Sequence, residues 1–174
     1  MRRVVVPGAA KDLLVGFALV GIVACASTTE PIDPSLPALA LEQPLPAEGQ
    51  SARRVAQIHF YADPLLVDVP PTATAGTPFI VAVTTYGGGC IGEDTTVVKV
   101  DGDRADVVPY QRVYRPGPNG ACTMELRVTR REVAVTFPTA GTRVVRVIGR
   151  ETPAGTLIKV PRVVSVRASS AASP

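Results

Sequence analysis

Thr77-Pro78-Phe79-Ile80-Val81-Ala82-Val83-Thr84-Thr85-Tyr86, closed by Gly87-Gly88-Gly89, is the stretch that sets the fold class. Phe79, Val81 and Val83 fall on one face of an extended chain, and Ile80, Ala82 and Thr84 on the other. That is the two-residue period of a strand, not the 3.6-residue period of a helix. The same grammar continues on both sides. Runs at 55–61 and 65–69 precede it, the second stopped by Pro70-Pro71. A run at 95–100 leads into Asp101-Gly102-Asp103, and aspartate–glycine between apolar runs signals a hairpin. Residues 105–114 continue, interrupted by Pro109, and Pro116-Gly117-Pro118-Asn119-Gly120 reads as a loop. Runs at 124–129, 132–137, 142–149 and 157–166 complete the set. After Cys25 no segment shows a capped helical period. The expectation is an all-β chain of about seven to nine antiparallel strands, folded as a sandwich or barrel.

Two segments carry a family resemblance. Val69-Pro70-Pro71-Thr72-Ala73-Thr74-Ala75-Gly76-Thr77-Pro78-Phe79 resembles the opening of bacterial immunoglobulin-like domains, where a proline-bearing edge strand passes through a glycine turn into a core strand. Phe137-Pro138-Thr139-Ala140-Gly141-Thr142, followed by residues 144–147, resembles their late hairpin. The resemblance spans residues 65–150 and implies an immunoglobulin-like β-sandwich. The chain departs from antibody-type domains: tryptophan is absent, and Cys90 and Cys122 lie near strand ends. A mid-sheet disulfide packed on tryptophan is therefore not implied.

The N-terminus reads as an export signal. Arg2, Arg3 and Lys11 supply positive charge ahead of an uncharged, mostly apolar run from residue 13 to residue 24. Such a run is shorter than the roughly 20 apolar residues of a membrane-spanning helix. Ile22-Val23-Ala24-Cys25 at its end resembles the lipobox of bacterial lipoprotein precursors. The resemblance implies cleavage before Cys25, lipid on its sulfur, and an exported chain tied to the cell envelope. With Ala26 after the cysteine, it implies the outer membrane where a cell has two, and otherwise the outer face of the cell membrane. Two or more acyl chains hold a protein at a membrane where one holds it marginally. An unlipidated signal cut near Ala26 is the rival reading. The expected organisation is a signal helix at 1–24, a lipid-anchored disordered linker at 25–54, a β-domain at 55–168 and a flexible tail at 169–174. Pro31, Pro34, Pro37, Pro44 and Pro46 recur through the linker, and polyproline II geometry would give it a reach on the order of 90 Å. Docking of Leu36, Leu39, Leu41 and Leu45 on the domain is the alternative.

Charge and cysteine content follow from that organisation. The 174-residue chain has 18 basic and 15 acidic side chains, a net of +3. Arg2, Arg3, Lys11 and Asp12 leave with the signal, so 15 and 14 remain, a net of +1. A near-neutral body offers no electrostatic case for nucleic acid. Lipid on Cys25 leaves Cys90 and Cys122 as a candidate disulfide in an oxidising compartment. A bridge there would stabilise by about 3.5–4 kcal/mol in the chain-entropy view. Two buried free thiols are the other reading.

No catalytic constellation emerges, and the chain is read as not an enzyme and as needing no cofactor. A nucleophile triad would have to use His59, the single histidine, which falls within a run of strand character. Cys90 after three glycines lacks a neighbour that would lower its pKa. Gly87-Gly88-Gly89 lacks the lysine and helix of a phosphate loop. Asp101, Asp103 and Asp106 are carboxylates within calcium-ligand reach in sequence, without the EF-hand pattern; they read as solvated turn acids, as do Glu93 and Asp94. The doublets Arg53-Arg54 and Arg130-Arg131 also read as solvated. Recognition is better represented: Tyr110, Arg112, Tyr114 and Arg115 cluster around one strand and its exit, and tyrosine and arginine are enriched at binding hot spots. The functional expectation is a non-catalytic envelope lipoprotein that recognises an envelope protein or glycan or plays a structural part. A small-molecule or calcium-binding module and a periplasmic protease or enzyme inhibitor are the alternatives. Replacing Cys25 by Ala is expected to move the exported chain from the membrane fraction to the soluble fraction on cell fractionation; unchanged partitioning would remove the lipid anchor.

Overall fold

β-Branched residues dominate the long runs of this chain, and in a computed structural model, which describes residues 45–169, they form strands throughout. Ten are present: β1 (Ser51–Val55), β2 (Gln57–Phe60), β3 (Val67–Asp68), β4 (Thr72–Thr74), β5 (Phe79–Gly87), β6 (Ile91–Asp101), β7 (Arg104–Tyr114), β8 (Arg127–Val135), β9 (Gly141–Thr152) and β10 (Leu157–Arg167). They belong to one curled, mixed sheet, and no helix occurs among the described residues. The expected signal segment, Cys25, most of the linker and residues 170–174 lie outside the described residues.

β5 is a strand as read, but past Ile80 both of its faces are buried, with Ala82 at 2% and Thr84 at 7% exposure. Val81 and Val83 are buried at 0% and 1% exposure, whereas Ile80 on the opposite face is half exposed. The core joins Val81, Val83 and Val135 of β5 and β8 to Ala105, Val107, Val145 and Val147 of β7 and β9, with Val160 and Val164 of β10 beneath them. Ile58 of β2 also enters this core. It lies directly on Gly149, where a Cβ would stand 2.4 Å from Ile58 Cγ1. Any side chain at that position would therefore displace β2 from β9.

Three expectations are corrected. The sheet is not purely antiparallel: β2 with β9, β7 with β9, and β4 with β10 are parallel pairs. Turn signals report only the neighbours a hairpin joins, and a hairpin makes antiparallel pairs alone. β7 and β9 are joined instead through β8, which pairs with β5 elsewhere in the sheet. The runs at 124–129 and 132–137 are not two strands but the single strand β8, because no turn breaks Arg130-Arg131. The sheet also starts before residue 55, since β1 pairs Ser51 with Tyr114 and Val55 with Tyr110.

Pro109 does not end β7. It sits opposite Thr96, where the β6–β7 register slips between Glu93 and Thr96. The Pro109 carbonyl accepts from the Ala56 N–H at 2.9 Å, so its nitrogen faces the β1 side and not β6; the Ala56 carbonyl there takes the Arg150 N–H instead, and the donor that proline lacks is not missed.

Asp106 is likewise not a solvated turn acid. It is 4% exposed and in register with Arg146 of β9. Arg146 donates Nε to Asp106 Oδ1 at 2.7 Å and Nη2 to Oδ2 at 2.8 Å. This fork fixes the parallel β7–β9 register, because a one-residue slip would strand both charges.

Candidate functional site

The glycine triplet and the cysteines locate the site's lower rim. Cys90 is bonded to Cys122 with Cα atoms 5.2 Å apart. Beside that bridge the backbone of residues 123–125 passes against Gly88 and Gly89. A Cβ on Gly88, at φ +120°, would lie 2.1 Å from the Glu125 carbonyl oxygen; one on Gly89, at φ +54°, would lie 2.3 Å from that of Thr123. Gly88 and Gly89 are thus explained by positive φ and close backbone approach. The bridge also occupies the thiol weighed above as a nucleophile.

β1 and β7 build the face itself. Arg53 lies opposite Arg112, Val55 opposite Tyr110 and Ser51 opposite Tyr114. Alternation then places Tyr110, Arg112, Tyr114 and Arg53 on one side of the pair. The guanidinium of Arg53 stacks 3.9 Å from the centroid of the Tyr110 ring. The bulge in β6 brings Asp94 onto this face. Arg112 Nη2 is 3.1 Å from Asp94 Oδ2, and Arg53 Nε is 3.7 Å from Oδ1. Arg53 also donates to the Thr95 hydroxyl. The Thr95 backbone N–H donates to Asp94 Oδ1 at 2.7 Å.

Asp94 is consequently held below the usual carboxylate range, first by the Thr95 backbone N–H, with Arg53 and Arg112 adding to it against the cost of burial. The Tyr110 hydroxyl is pushed up by burial, with Arg53 opposing. Arg112 remains 60% exposed at its side chain and Arg53 41%. The face therefore offers an aromatic plane, guanidinium donors and one carboxylate acceptor in fixed relation.

Arg131 holds this face from beneath. It points inward from β8 and is 8% exposed. Its Nη1 donates to the backbone carbonyls of Asp94 at 2.7 Å and Tyr110 at 2.8 Å. Its Nε donates to Thr85 Oγ1 at 3.1 Å. Burial pulls its pKa down, with Glu93 and Asp94 opposing. Gln111, on the reverse side of β7, accepts from the Gln57 N–H at 3.1 Å and donates to the Tyr86 carbonyl.

Of the residues picked from sequence, Tyr110, Arg112 and Tyr114 share the face. Arg115 follows the end of β7 and pairs with Glu48 at 3.5 Å. Sequence reading missed Arg53, Asp94, Thr95 and Arg131. Only Arg53 had a local signal, since it falls in a run that alternates with Val55. His59 stands in β2 with Nδ1 3.9 Å from Glu151 Oε2.

Asp106 is committed to Arg146, and no group of three or more His, Cys, Asp or Glu able to hold a metal occurs among the described residues. A recess lined by Thr85, Glu93, Gln111, Arg127 and Thr129 has a volume of about 10 Å³. That is room for one water, far from the roughly 300–1,000 Å³ of a ligand pocket. Compared with known protein families, curated proteins and solved structures, the chain gives no match.

The lowered pKa of Asp94 has a direction in stability. A carboxylate depressed in the folded state stabilises above its unfolded pKa, and that contribution is lost as pH falls through the folded value. Wild type is therefore expected to exceed Asp94→Asn in melting temperature at neutral pH. The gap should begin to close near the ordinary value of 3.8 and continue closing below it. A gap independent of pH in parallel thermal melts would show that Asp94 is not held as a carboxylate by these partners.

Proposed function

We propose that this chain is an exported lipoprotein, anchored through Cys25, whose β-domain is a non-catalytic recognition module of the cell envelope. The observation that carries the reading is the Tyr110–Arg53–Arg112–Asp94 face. Tyrosine and arginine set on a rigid strand pair offer binding energy at low ordering cost. The two arginines are spread by Asp94 and by the Tyr110 ring, so they are positioned before any partner arrives. Catalysis finds less support, because His59 and Cys90 are each engaged elsewhere.

Export is supported by the Cys90–Cys122 bridge, since disulfides persist in oxidising compartments. The lipid anchor rests on the Ile22-Val23-Ala24-Cys25 pattern. Among the described residues no helix is long and apolar enough to cross a membrane. An immunoglobulin-like sandwich is the finer fold reading. Short β4 after Pro70-Pro71 leads through Gly76, at φ +73°, into core strand β5, in keeping with that reading. The late hairpin expected across residues 137–147 is not formed: β8 before that turn pairs with β5, and β9 after it pairs with β10. The parallel β7–β9 pair would make it a variant of that architecture.

A protein partner fits the face best, because its centre is an aromatic and arginine pair of the kind that anchors protein interfaces. Tyr110→Ala or Arg112→Ala is expected to weaken binding of the domain to isolated envelopes by about 30-fold, the scale of a hot spot. Unchanged affinity in that titration, with the melting temperature preserved, would place recognition elsewhere.

A further inference from the structure

β8 presents an open edge whose side chains complement themselves. Among the described residues β8 pairs only with β5. The direction of its backbone groups follows from β5. The Thr84 N–H donates to the Leu66 carbonyl, and the Tyr86 carbonyl accepts from Gln111, so even-numbered residues of β5 face away from β8. Val81, Val83, Thr85 and Gly87 therefore bond β8, through Val133, Arg131, Thr129 and Arg127 opposite them. The N–H and C=O groups of Val128, Arg130, Glu132 and Ala134 then point outward, and all four residues are exposed.

We propose that this edge pairs antiparallel with β8 of a second copy of the chain, about a two-fold axis at Arg131. That register sets Arg130 opposite Glu132 of the second copy, and Glu132 opposite its Arg130. Val128 meets Ala134 in the same way at both ends. Each of these pairs exchanges N–H···O bonds in both directions, as the outward groups require. Opposite charges directly across an antiparallel pair stabilise it, and like charges oppose it. Moving the axis to Arg130 sets Arg130 on itself, and moving it to Glu132 sets Glu132 on itself, so charge selects the axis at Arg131. The two Arg131 side chains do not collide, because each is drawn into its own domain by Asp94, Tyr110 and Thr85.

Among the described residues the other open edges are shorter or interrupted. β3 has two residues, β4 three and β1 five, and β6 is broken by its bulge. The free side of β10 ahead of its pairing with β4 carries Pro161, which has no N–H to give. Isologous pairing through one edge closes a dimer and leaves no further edge of β8 to propagate. The recognition face on β1 and β7 is not part of this contact, so the two readings stand or fall separately.

Sedimentation equilibrium of the exported full chain carrying Cys25→Ala, which keeps shared micelles from mimicking association, tests the pairing. The parent chain is expected to show a concentration-dependent monomer–dimer equilibrium. Arg130→Glu and Glu132→Arg are each expected to be monomeric, with dimerisation weakened at least tenfold. An equimolar mixture of the two is expected to dimerise again, because every cross-strand charge pair is then complementary. That rescue separates a contact between copies from damage to folding. A monomeric parent chain, dimers that persist in either single variant, or a mixture that stays monomeric would each overturn the proposal.

Discussion

The buried guanidinium of Arg131 is the interaction on which the rest of this structure depends. It originates on β8, bonds the Thr85 hydroxyl on β5, and reaches across to the carbonyls of Asp94 and Tyr110 on β6 and β7. A charge taken out of water is costly unless its donors are met. Here three acceptors from three strands meet it, and two of them belong to residues of the recognition face. One cation therefore closes the curled sheet and fixes the height of Tyr110 and Asp94. Its Nη2 remains buried without a protein acceptor, so the clamp is not fully satisfied.

Several constraints then act together around the bulge. β6 slips register against β7 between Glu93 and Thr96. The slip turns Asp94 and Thr95 onto the face of β1 and β7, where Asp94 binds Arg53 and Arg112. The disulfide and the close contacts of Gly88 and Gly89 hold the other end of this region, where β5 leads into β6. Further along β7 the Asp106–Arg146 fork fixes its register against β9. The recognition face is thus a product of its supports. Its exposed side chains lie on a backbone that is pinned at Arg131, at Cys90 and at Asp106.

What was legible in the sequence is what local physics controls. The β5 strand, the hairpin at Asp101-Gly102, and the all-β class follow from side-chain period and turn chemistry, and these recur in the structure. Cysteine arithmetic under an export reading matched Cys90 with Cys122. Tyr110, Arg112 and Tyr114 emerged because alternation on one strand places them together. The parallel pairs were not legible, because they depend on where β8 crosses the core. Arg130 and Arg131 look alike in sequence, yet one lies on the outer face with Asp68 and Glu132 while the other is the interior clamp. Asp94 looked like a loop acid because the bulge that redirects it exists only once β6 pairs with β7. Asp106 looked solvated because its partner lies on β9, forty residues away.

Hydrogen–deuterium exchange on Arg131→Met tests the clamp most directly, since methionine keeps much of the side-chain bulk and none of the donors. Exchange reports local opening segment by segment. If Arg131 holds the face, peptides covering residues 91–98 and 105–114 lose protection, while the β9–β10 hairpin retains it. Protection unchanged in those two segments, or lost evenly across the sheet, would contradict a local clamp.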